Sequence, residues 1–190
     1  VPDRPDNCPR AAPRGLAIRF SVSDGSNTDI VSHSFNGLHS QNADQFRELL
    51  QAIAASGPSA AKPTALDGYL ARHPAAKNFL TTPKPAPVSY ATLPYYGVNT
   101  FKFINAKGKI TYGRYQIVPV MPAQYLTDAQ AKVVAADKLA QELGQRVTAE
   151  QMRFRVMRQL AGRGDHLDEP SIAGPHSHQT LETGDHKLSH

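Results

Sequence analysis

Polar side chains that can take part in chemistry follow an apolar stretch near residue 30. His33, Ser34 and Asn36 come directly after Asp29-Ile30-Val31-Ser32. An imidazole exchanges protons near neutral pH, and hydroxyl and amide groups hold small polar molecules by hydrogen bonds. Two interpretations are open: the polar lining of a pocket at a strand end, or an exposed strand edge and its turn. The residue types alone favour the second.

Five of the eight histidines lie between residues 161 and 190: His166, His176, His178, His186 and His190. Imidazole is the commonest side-chain ligand of transition metals in proteins. Only His176 and His178 are close together, however, and no cysteine or HExxH arrangement accompanies them. The sequence therefore favours a solvated histidine-rich tail over a metal site. It also lacks a Ser/His/Asp nucleophile pattern, a phosphate-binding loop and helically spaced carboxylates.

Charge and cysteine content exclude several classes of protein. The net charge is +5, from 21 basic and 16 acidic residues, and no run of five or six like charges occurs. We therefore expect no nucleic-acid partner. Cys8 is the single cysteine, which precludes an internal disulfide and predicts a cytoplasmic location, with the periplasm as the alternative. No apolar run approaches membrane-spanning length, so we expect no membrane association.

The elements that must position these side chains are organised around a predicted hairpin at 95–120. Two runs of β-branched and aromatic residues flank the turn Asn105-Ala106-Lys107-Gly108. The apolar alternation changes phase at Gly113, which predicts a β-bulge and a strongly bent strand. Such bends are typical of barrels, so the hairpin is interpreted as part of a barrel wall. Pro119 and Pro122 end the second strand.

Apolar periodicity predicts the remaining elements. Strands are expected at 15–22, 29–35 and 151–157. Helices are expected at 42–55 with Asn42 as N-cap, at 65–72 and from Pro74 onward. A further helix is expected from Thr127, which forms a capping box with Gln130, to Leu143, with Gly144 as the stop. We predict a single domain over 1–190, with a proline-rich loop at 1–14 and a polar, histidine-rich end segment at 161–190.

Several segments, in order, resemble the haem catalases. Pro13–Phe20 resembles their Arg-Gly-Phe-Ala-Val-Lys-Phe strand, and Asn99–Gly108 resembles their His-Thr-Phe-Lys-Leu-Val-Asn-Ala-Asn-Gly segment. The similarity extends to the small bacterial catalase-related haem peroxidases through Asp29–Gly37, Tyr112–Val120 and Phe154–Ile172. Nearly the whole chain is covered, and the ordered succession is more specific than any one segment.

The resemblance implies an α+β fold with an eight-stranded antiparallel barrel, packed helices and haem b in a deep pocket. Against the family pattern the chain begins after the second strand and stops near the end of the eighth. Six of the eight strands are therefore expected. Unpaired strand edges recruit other chains, so a homo-oligomer is expected as well.

The resemblance also assigns site residues. It places Ser34 at the position of the family's distal asparagine, with His33 and Asn36 nearby. Phe46 matches the haem-stacking phenylalanine, and Val31 and Phe35 complete the implied haem wall. Without the resemblance, Phe46 is an ordinary core residue of an amphipathic helix.

Other family residues have no match in this sequence. The distal histidine belongs to a segment before Val1, and the iron-ligating tyrosine, four residues after an arginine, to a helix beyond His190. None of the seven tyrosines here follows an arginine by four residues. Arg19 and Arg114 are candidates for binding haem propionates. Their places on strands favour the barrel exterior instead.

The implied function is haem-dependent breakdown of hydrogen peroxide, or oxidation of small organic donors by hydrogen peroxide or small organic peroxides. The alternative is a catalytically inactive barrel remnant that binds an apolar ligand or a partner chain. The missing histidine and tyrosine favour that alternative for the 190-residue chain taken alone.

Overall fold

The structure is a computed structural model that describes residues 6, 12–149, 152–165, 167–171 and 179–187. An antiparallel sheet contains β1 (Gly15–Ser21), β2 (Asn27–His33), β3 (Tyr95–Tyr96), β4 (Phe101–Ile104), β5 (Ile110–Pro119), β6 (Arg153–Leu160) and β7 (Thr180–Lys187). The helices are α1 (Ala43–Ala54), α2 (Ala65–Arg72), α3 (Pro74–Thr81), α4 (Asp128–Val133) and α5 (Lys138–Thr148), with a 3-10 turn at Tyr90–Thr92.

The sheet is not closed within the described residues, so the predicted partial barrel is supported only in part. Its strand order is β1-β2-β3-β5-β6-β7, and β4 pairs with β5 beside that path. Within the described residues β1 and β7 lie at opposite ends and no pairing joins them. The α+β class and the antiparallel sheet are confirmed. The described residues form seven strands where six are predicted, and β7 lies in the polar end segment, where the resemblance also expects the last strand.

Gly113 is explained by a close approach of strands and not by the predicted bulge. Gly113 is the last residue of β5 that pairs with β4 and the first that pairs with β6, and neither pairing shows a register shift. A Cβ atom at this position would lie 2.5 Å from the carbonyl oxygen of Gln159. The bulge occurs instead in the β6–β7 pair, between Val156 and Met157. A change in the phase of apolar alternation along one strand does not show which residue of a neighbouring strand comes close to it.

The helix predicted from Thr127 to Leu143 is two helices. Thr127 and Gln130 form the expected capping box at the start of α4, but Val134 is extended and α5 begins at Lys138. Gly144 lies inside α5 and does not end it. In α5 the helically spaced Leu139, Leu143 and Val147 pack on the core, whereas Val133 of α4 is 82% exposed. Burial of the second stripe therefore determines where the chain breaks.

The main core lies on one face of the sheet, beneath α5. Alternation directs every second residue of the strands to this face, and the largest buried side chains there are Tyr95, Ile117 and Phe154. Ile18 and Ile30, directly opposite each other in the β1–β2 register, join the same cluster. A consequence is that the alternate residues of β1 and β2 face away from this core.

A second, smaller core joins α1, α2 and α3. Asn42 caps α1 as predicted by accepting a hydrogen bond from the Gln45 amide, and Pro74 begins α3. Leu49 and Tyr69 are buried between the helices. No helix in the described ranges is long and apolar enough to cross a membrane.

Substitutions at Gly113 and Gly144 provide a matched test of the close approach of β5 and β6. We expect Gly113→Ala to destabilise the protein by about 2 kcal/mol or more, because the new methyl group meets the Gln159 backbone. Gly144→Ala should stabilise it by about 0.5–1 kcal/mol, since α5 leaves open space there and alanine favours helix. Urea unfolding midpoints measure both changes. Equal changes in the urea midpoint for the two variants would contradict the close approach of the Gln159 backbone to Gly113.

Candidate functional site

The candidate site begins on the face of β2 that points away from the main core. Ile30 and Ser32 are buried on the core side, and the Ser32 hydroxyl donates to the Leu16 carbonyl at 2.8 Å. Alternation places Val31 and His33 on the opposite face. Val31 is 76% exposed there, whereas His33 is half-buried. An apolar surface and an imidazole therefore lie side by side at the end of β2.

The His33 imidazole carries a buried hydrogen-bonding atom with no protein partner. Its Nδ1 accepts a hydrogen bond from the Phe35 amide at 3.3 Å, so the neutral ring carries its proton on Nε2. Nε2 is buried and meets no acceptor within the described residues, and Nδ2 of Asn36 is in the same situation. Buried polar atoms are nearly always satisfied in proteins, so these two donors are available to a bound molecule.

Burial keeps the His33 ring neutral. Desolvation lowers the pKa of His33 below its ordinary value of 6.5, and the nearby His39 lowers that pKa further. Burial alone lowers the pKa of His39. Both rings are therefore uncharged at neutral pH. A neutral imidazole can donate from one nitrogen and accept at the other, which an imidazolium cannot.

Ser34 faces away from His33, although the two residues are adjacent. The Ser34 hydroxyl oxygen accepts a hydrogen bond from the Arg14 amide at 2.8 Å, and the Ser34 amide donates to the Arg14 carbonyl, also at 2.8 Å. These bonds extend the β1–β2 pairing by one step. They direct the Ser34 side chain toward the start of β1 and not toward the His33 ring.

Phe35 belongs to a different cluster from Val31. Its ring packs edge-on against Phe79 of α3 at a centroid distance of 5.0 Å, and the ammonium of Lys84 lies 4.8 Å from the centroid of Phe35. The structure therefore brings Phe35 to the end of α3. Of the predicted wall residues, Val31 stays on the sheet face, with His33 beside it.

Phe46 lies on the first turn of α1 and stacks on His39. The two ring centroids are 4.7 Å apart, with an angle of 27° between the planes, and Phe46 is 42% exposed. His39 also meets Phe79 edge-on at 5.1 Å. Phe46 is thus neither a fully buried core residue nor an isolated surface residue. It stacks on the same His39 ring that lowers the pKa of His33.

Sequence reasoning missed His39. The one signal that could have found it is its position three residues before the N-cap Asn42, where the entering chain folds back on the first helical turn. Apolar residues just before an N-cap often pack on that turn in the same way. An imidazole stacked on Phe46 is an aromatic variant of this contact.

The two candidate arginines occupy different environments. Arg19 is largely exposed and binds Asp29 through two hydrogen bonds of 2.9 and 3.0 Å. Arg114 is part-buried and donates to the Glu169 carbonyl at 2.9 Å and to the Thr100 hydroxyl at 3.1 Å. Burial lowers the pKa of Arg114, which stays charged. Both guanidinium groups are thus bound within the protein.

No group of three or more metal-binding side chains occurs within the described part of the chain. His166, His176, His178 and His190 lie outside the described residues, as does the side chain of His186. The predicted solvated tail at these positions stays a prediction.

Comparisons with known proteins identify relatives over most of the chain. A family model described as Catalase matches residues 5–162. A catalase-related peroxidase of Mycolicibacterium paratuberculosis is 34% identical over 163 residues, which cover 84% of this chain and 51% of the relative. A catalase-related peroxidase of Synechococcus elongatus is 30% identical over 190 residues, covering 96% of this chain and 54% of the relative. The chain spans about half the length of these curated relatives.

Solved structures share the fold. A bacterial catalase superposes with a TM-score of 0.71 at 18% identity, covering 90% of this chain and 36% of the catalase. A fungal catalase superposes with a TM-score of 0.76, also at 18% identity, covering 96% of this chain and 39% of the catalase. At this identity the similarity shows the fold alone.

The environment of His33 and His39 predicts a specific pH dependence. Both folded-state pKa values are lowered, so below 6.5 the unfolded chain takes up protons that the folded protein does not. The stability that the two neutral rings contribute is complete above pH 6.5 and falls as the pH drops through their folded pKa values. Proton NMR titration of the imidazole Cε1–H signals should give both pKa values below 6.5. A value above 6.5 for His33 would show that its ring is not desolvated.

Proposed function

The chain belongs to the catalase family, and we propose that the protein is a haem peroxidase acting on hydrogen peroxide or small organic peroxides. The single observation that carries the proposal is the unpaired Nε2 donor of His33 beside the exposed apolar Val31 on one face of β2. Haem is the family's cofactor, and we propose haem b. The similarity to catalase-related peroxidases supports this function, and it gives the alternative of an inactive ligand-binding remnant no better support.

The described residues fit one wall of a haem site. Val31 and Phe46 offer partly exposed apolar and aromatic surface to a flat ring. His33, two residues after Val31 on the same face of β2, supplies a buried polar donor without an acceptor among the described residues. An axial tyrosine is not recognisable in the sequence, since no tyrosine follows an arginine by four residues. The site proposed for haem is therefore this open wall, and no iron ligand is assigned among the residues of this chain.

The small cavity near Lys84 is not part of this haem site. Its volume is about 100 Å³, whereas pockets for drug-sized ligands typically hold about 300–1,000 Å³. Haem is larger than such ligands. The surface proposed for haem is instead the open face of β2 that carries Val31 and His33.

The residues of this wall have distinct roles in the proposed mechanism. Bound haem would supply the iron centre that reduces the peroxide O–O bond. Val31 and Phe46 would hold the ring by apolar contact and exclude water from its face. The Nε2–H of His33 would donate to a peroxide oxygen, and the Nδ2–H of Asn36 provides a second donor. Burial keeps His33 neutral, so its proton stays on Nε2 at neutral pH.

Ser34 has no direct role in this proposal. Its hydroxyl oxygen accepts from the Arg14 amide, so it is directed away from the wall formed by Val31 and His33. The group expected at the distal asparagine position of the family is therefore proposed to be the His33 imidazole and not the Ser34 hydroxyl.

Haem uptake by the 190-residue chain tests the wall. Val31→Asp places a carboxylate on the proposed haem face and should weaken haemin binding at least about tenfold, because burying an unpaired charge is costly. Val133→Asp is the matched control, since Val133 is 82% and Val31 76% exposed, and it should change binding less than about twofold. Absorbance titration with haemin measures both affinities, and urea unfolding checks that both variants fold.

Two outcomes would contradict the assignment. Equal weakening by the two aspartates would show that haemin adheres nonspecifically, and an absence of uptake by the unmodified chain would contradict the proposed haem wall.

Peroxide turnover by the haemin-loaded chain should barely exceed that of free haemin, because the chain has no match to the family's distal histidine. Proton transfer by a positioned distal base is typically worth about 10²–10⁴ in rate. Rapid oxygen evolution with one haem per chain would place an axial ligand among its own residues.

We also propose that the protein associates with copies of itself. The two ends of the described sheet, β1 and β7, each have one edge without a partner strand among the described residues. Such edges pair readily with other chains. We expect sedimentation velocity at micromolar concentration to show species larger than a monomer, and their proportion to rise with concentration. A single monomer boundary at every concentration would contradict this proposal.

A further inference from the structure

A cavity of about 100 Å³ lies on the other side of the β2 end, away from the face that carries Val31 and His33. Ser34 and Phe35 form one wall, and the proline-containing segment 83–87 forms another. Arg14, Leu93 and Tyr125 also line it. None of these side chains has a role in the proposed peroxide chemistry, so the cavity requires an explanation of its own.

Lys84 gives this cavity a positive charge. Its ammonium lies 4.8 Å from the ring centroid of Phe35 and 5.0 Å from that of Phe79. It donates to the carbonyls of Phe79 and Thr82, which belong to the end of α3. An ammonium has three protons, so one donor is left after these two bonds.

Lys84 has no carboxylate partner. No acidic oxygen within the described residues lies within 4.0 Å of its ammonium, and burial lowers the pKa of Lys84. Removing a cation from water without a counter-ion is unfavourable. The cavity thus holds a partly desolvated positive charge that an anion would stabilise.

Further donors converge on the same space. The Ser34 oxygen accepts from the Arg14 amide, which leaves the hydroxyl proton of Ser34 free to donate. The Tyr125 hydroxyl makes no hydrogen bond within the described part of the chain, and its side chain lines the opening. Arg14 is ion-paired with Asp6 at 3.3 Å, so its charge is already balanced. Lys84 is therefore the lining cation without a carboxylate partner in the described residues, and Ser34 supplies a neutral donor to the same lining.

The remainder of the lining is apolar and rigid. Pro83, Pro85 and Leu93 contribute surfaces that cannot hydrogen-bond through their side chains. A cavity of about 150 Å³ holds benzene, so a volume of about 100 Å³ fits a molecule of only a few heavy atoms. We propose that this cavity binds a small aliphatic carboxylate of the size of acetate, with its oxygens at Lys84 and Ser34 and its methyl group against the prolines.

Titration with acetate at constant ionic strength tests the site on the full 190-residue chain. We expect saturable chemical-shift changes at the backbone amides of Arg14 and Ser34, with sodium chloride at the same ionic strength producing none. Formate should bind about fourfold more weakly than acetate, because it lacks the methyl group that meets the apolar wall.

Variants of Lys84 identify the anchoring charge. Lys84→Met replaces the ammonium near the two rings by an uncharged side chain of similar length, and should weaken acetate binding at least about tenfold. Lys84→Arg restores a cation and should bind within about threefold of the unmodified chain. The control is Lys77→Met, which removes an exposed lysine of α3 and should leave the affinity unchanged.

Lys84→Met also removes the two hydrogen bonds from Lys84 to the end of α3. Ser34→Ala is therefore a second variant, which leaves Lys84 in place. It should weaken binding about threefold or more.

Unsaturable shifts equal to those from chloride would overturn the proposal, as would unchanged affinity in both Lys84→Met and Ser34→Ala. Phosphate binding more tightly than acetate would overturn the assigned class of ligand. Since no haem is present in this experiment, failure here leaves the peroxidase proposal intact.

Discussion

Burial of one face of the sheet is the constraint on which the rest of the structure depends. Ile18, Ile30, Ile117 and Phe154 leave almost no surface exposed, and burying each such side chain is worth about 1.5–3 kcal/mol. Because side chains alternate along a strand, this burial determines the orientation of every residue between them. A one-residue slip of β2 would bring Val31 into the core and Ile30 to the surface. The exposed position of Val31 is therefore a consequence of the core.

The same constraint separates consecutive residues at the end of β2. His33 keeps the orientation of Val31, and its Nε2 stays without a protein acceptor. Ser34 continues the pairing with Arg14 on the other side, and Phe35 packs against α3. Three successive residues thus face two different environments. One is an apolar wall with a neutral imidazole, and the other is a small cavity with an ammonium ion.

Local features of the sequence were sufficient to predict many of the elements. Asn42 as N-cap, the capping box of Thr127 and Gln130, and Pro74 at the start of α3 act within a few residues, and all three are confirmed. The break between α4 and α5 was not predictable in this way, because the stripe of Leu139 and its neighbours gains its energy from a core formed by distant strands. The need for glycine at position 113 was not predictable either, because the Gln159 carbonyl that excludes a side chain there lies on another strand.

The candidate site shows the same division between local and distant information. The resemblance to catalases predicted a haem wall within the stretch from Val31 to Phe46 and placed the distal polar position at Ser34, with His33 and Asn36 nearby; these assignments stay predictions. Which of two adjacent residues faces the wall depends on hydrogen bonds to Arg14, 20 residues away, and on burial of Ser32. His39 escaped prediction because its contact with Phe46 requires the chain to fold back before α1. Burial of the core on one face of the sheet therefore determines which side chains at the end of β2 face the other side. Those side chains determine the chemistry that is available at the candidate site.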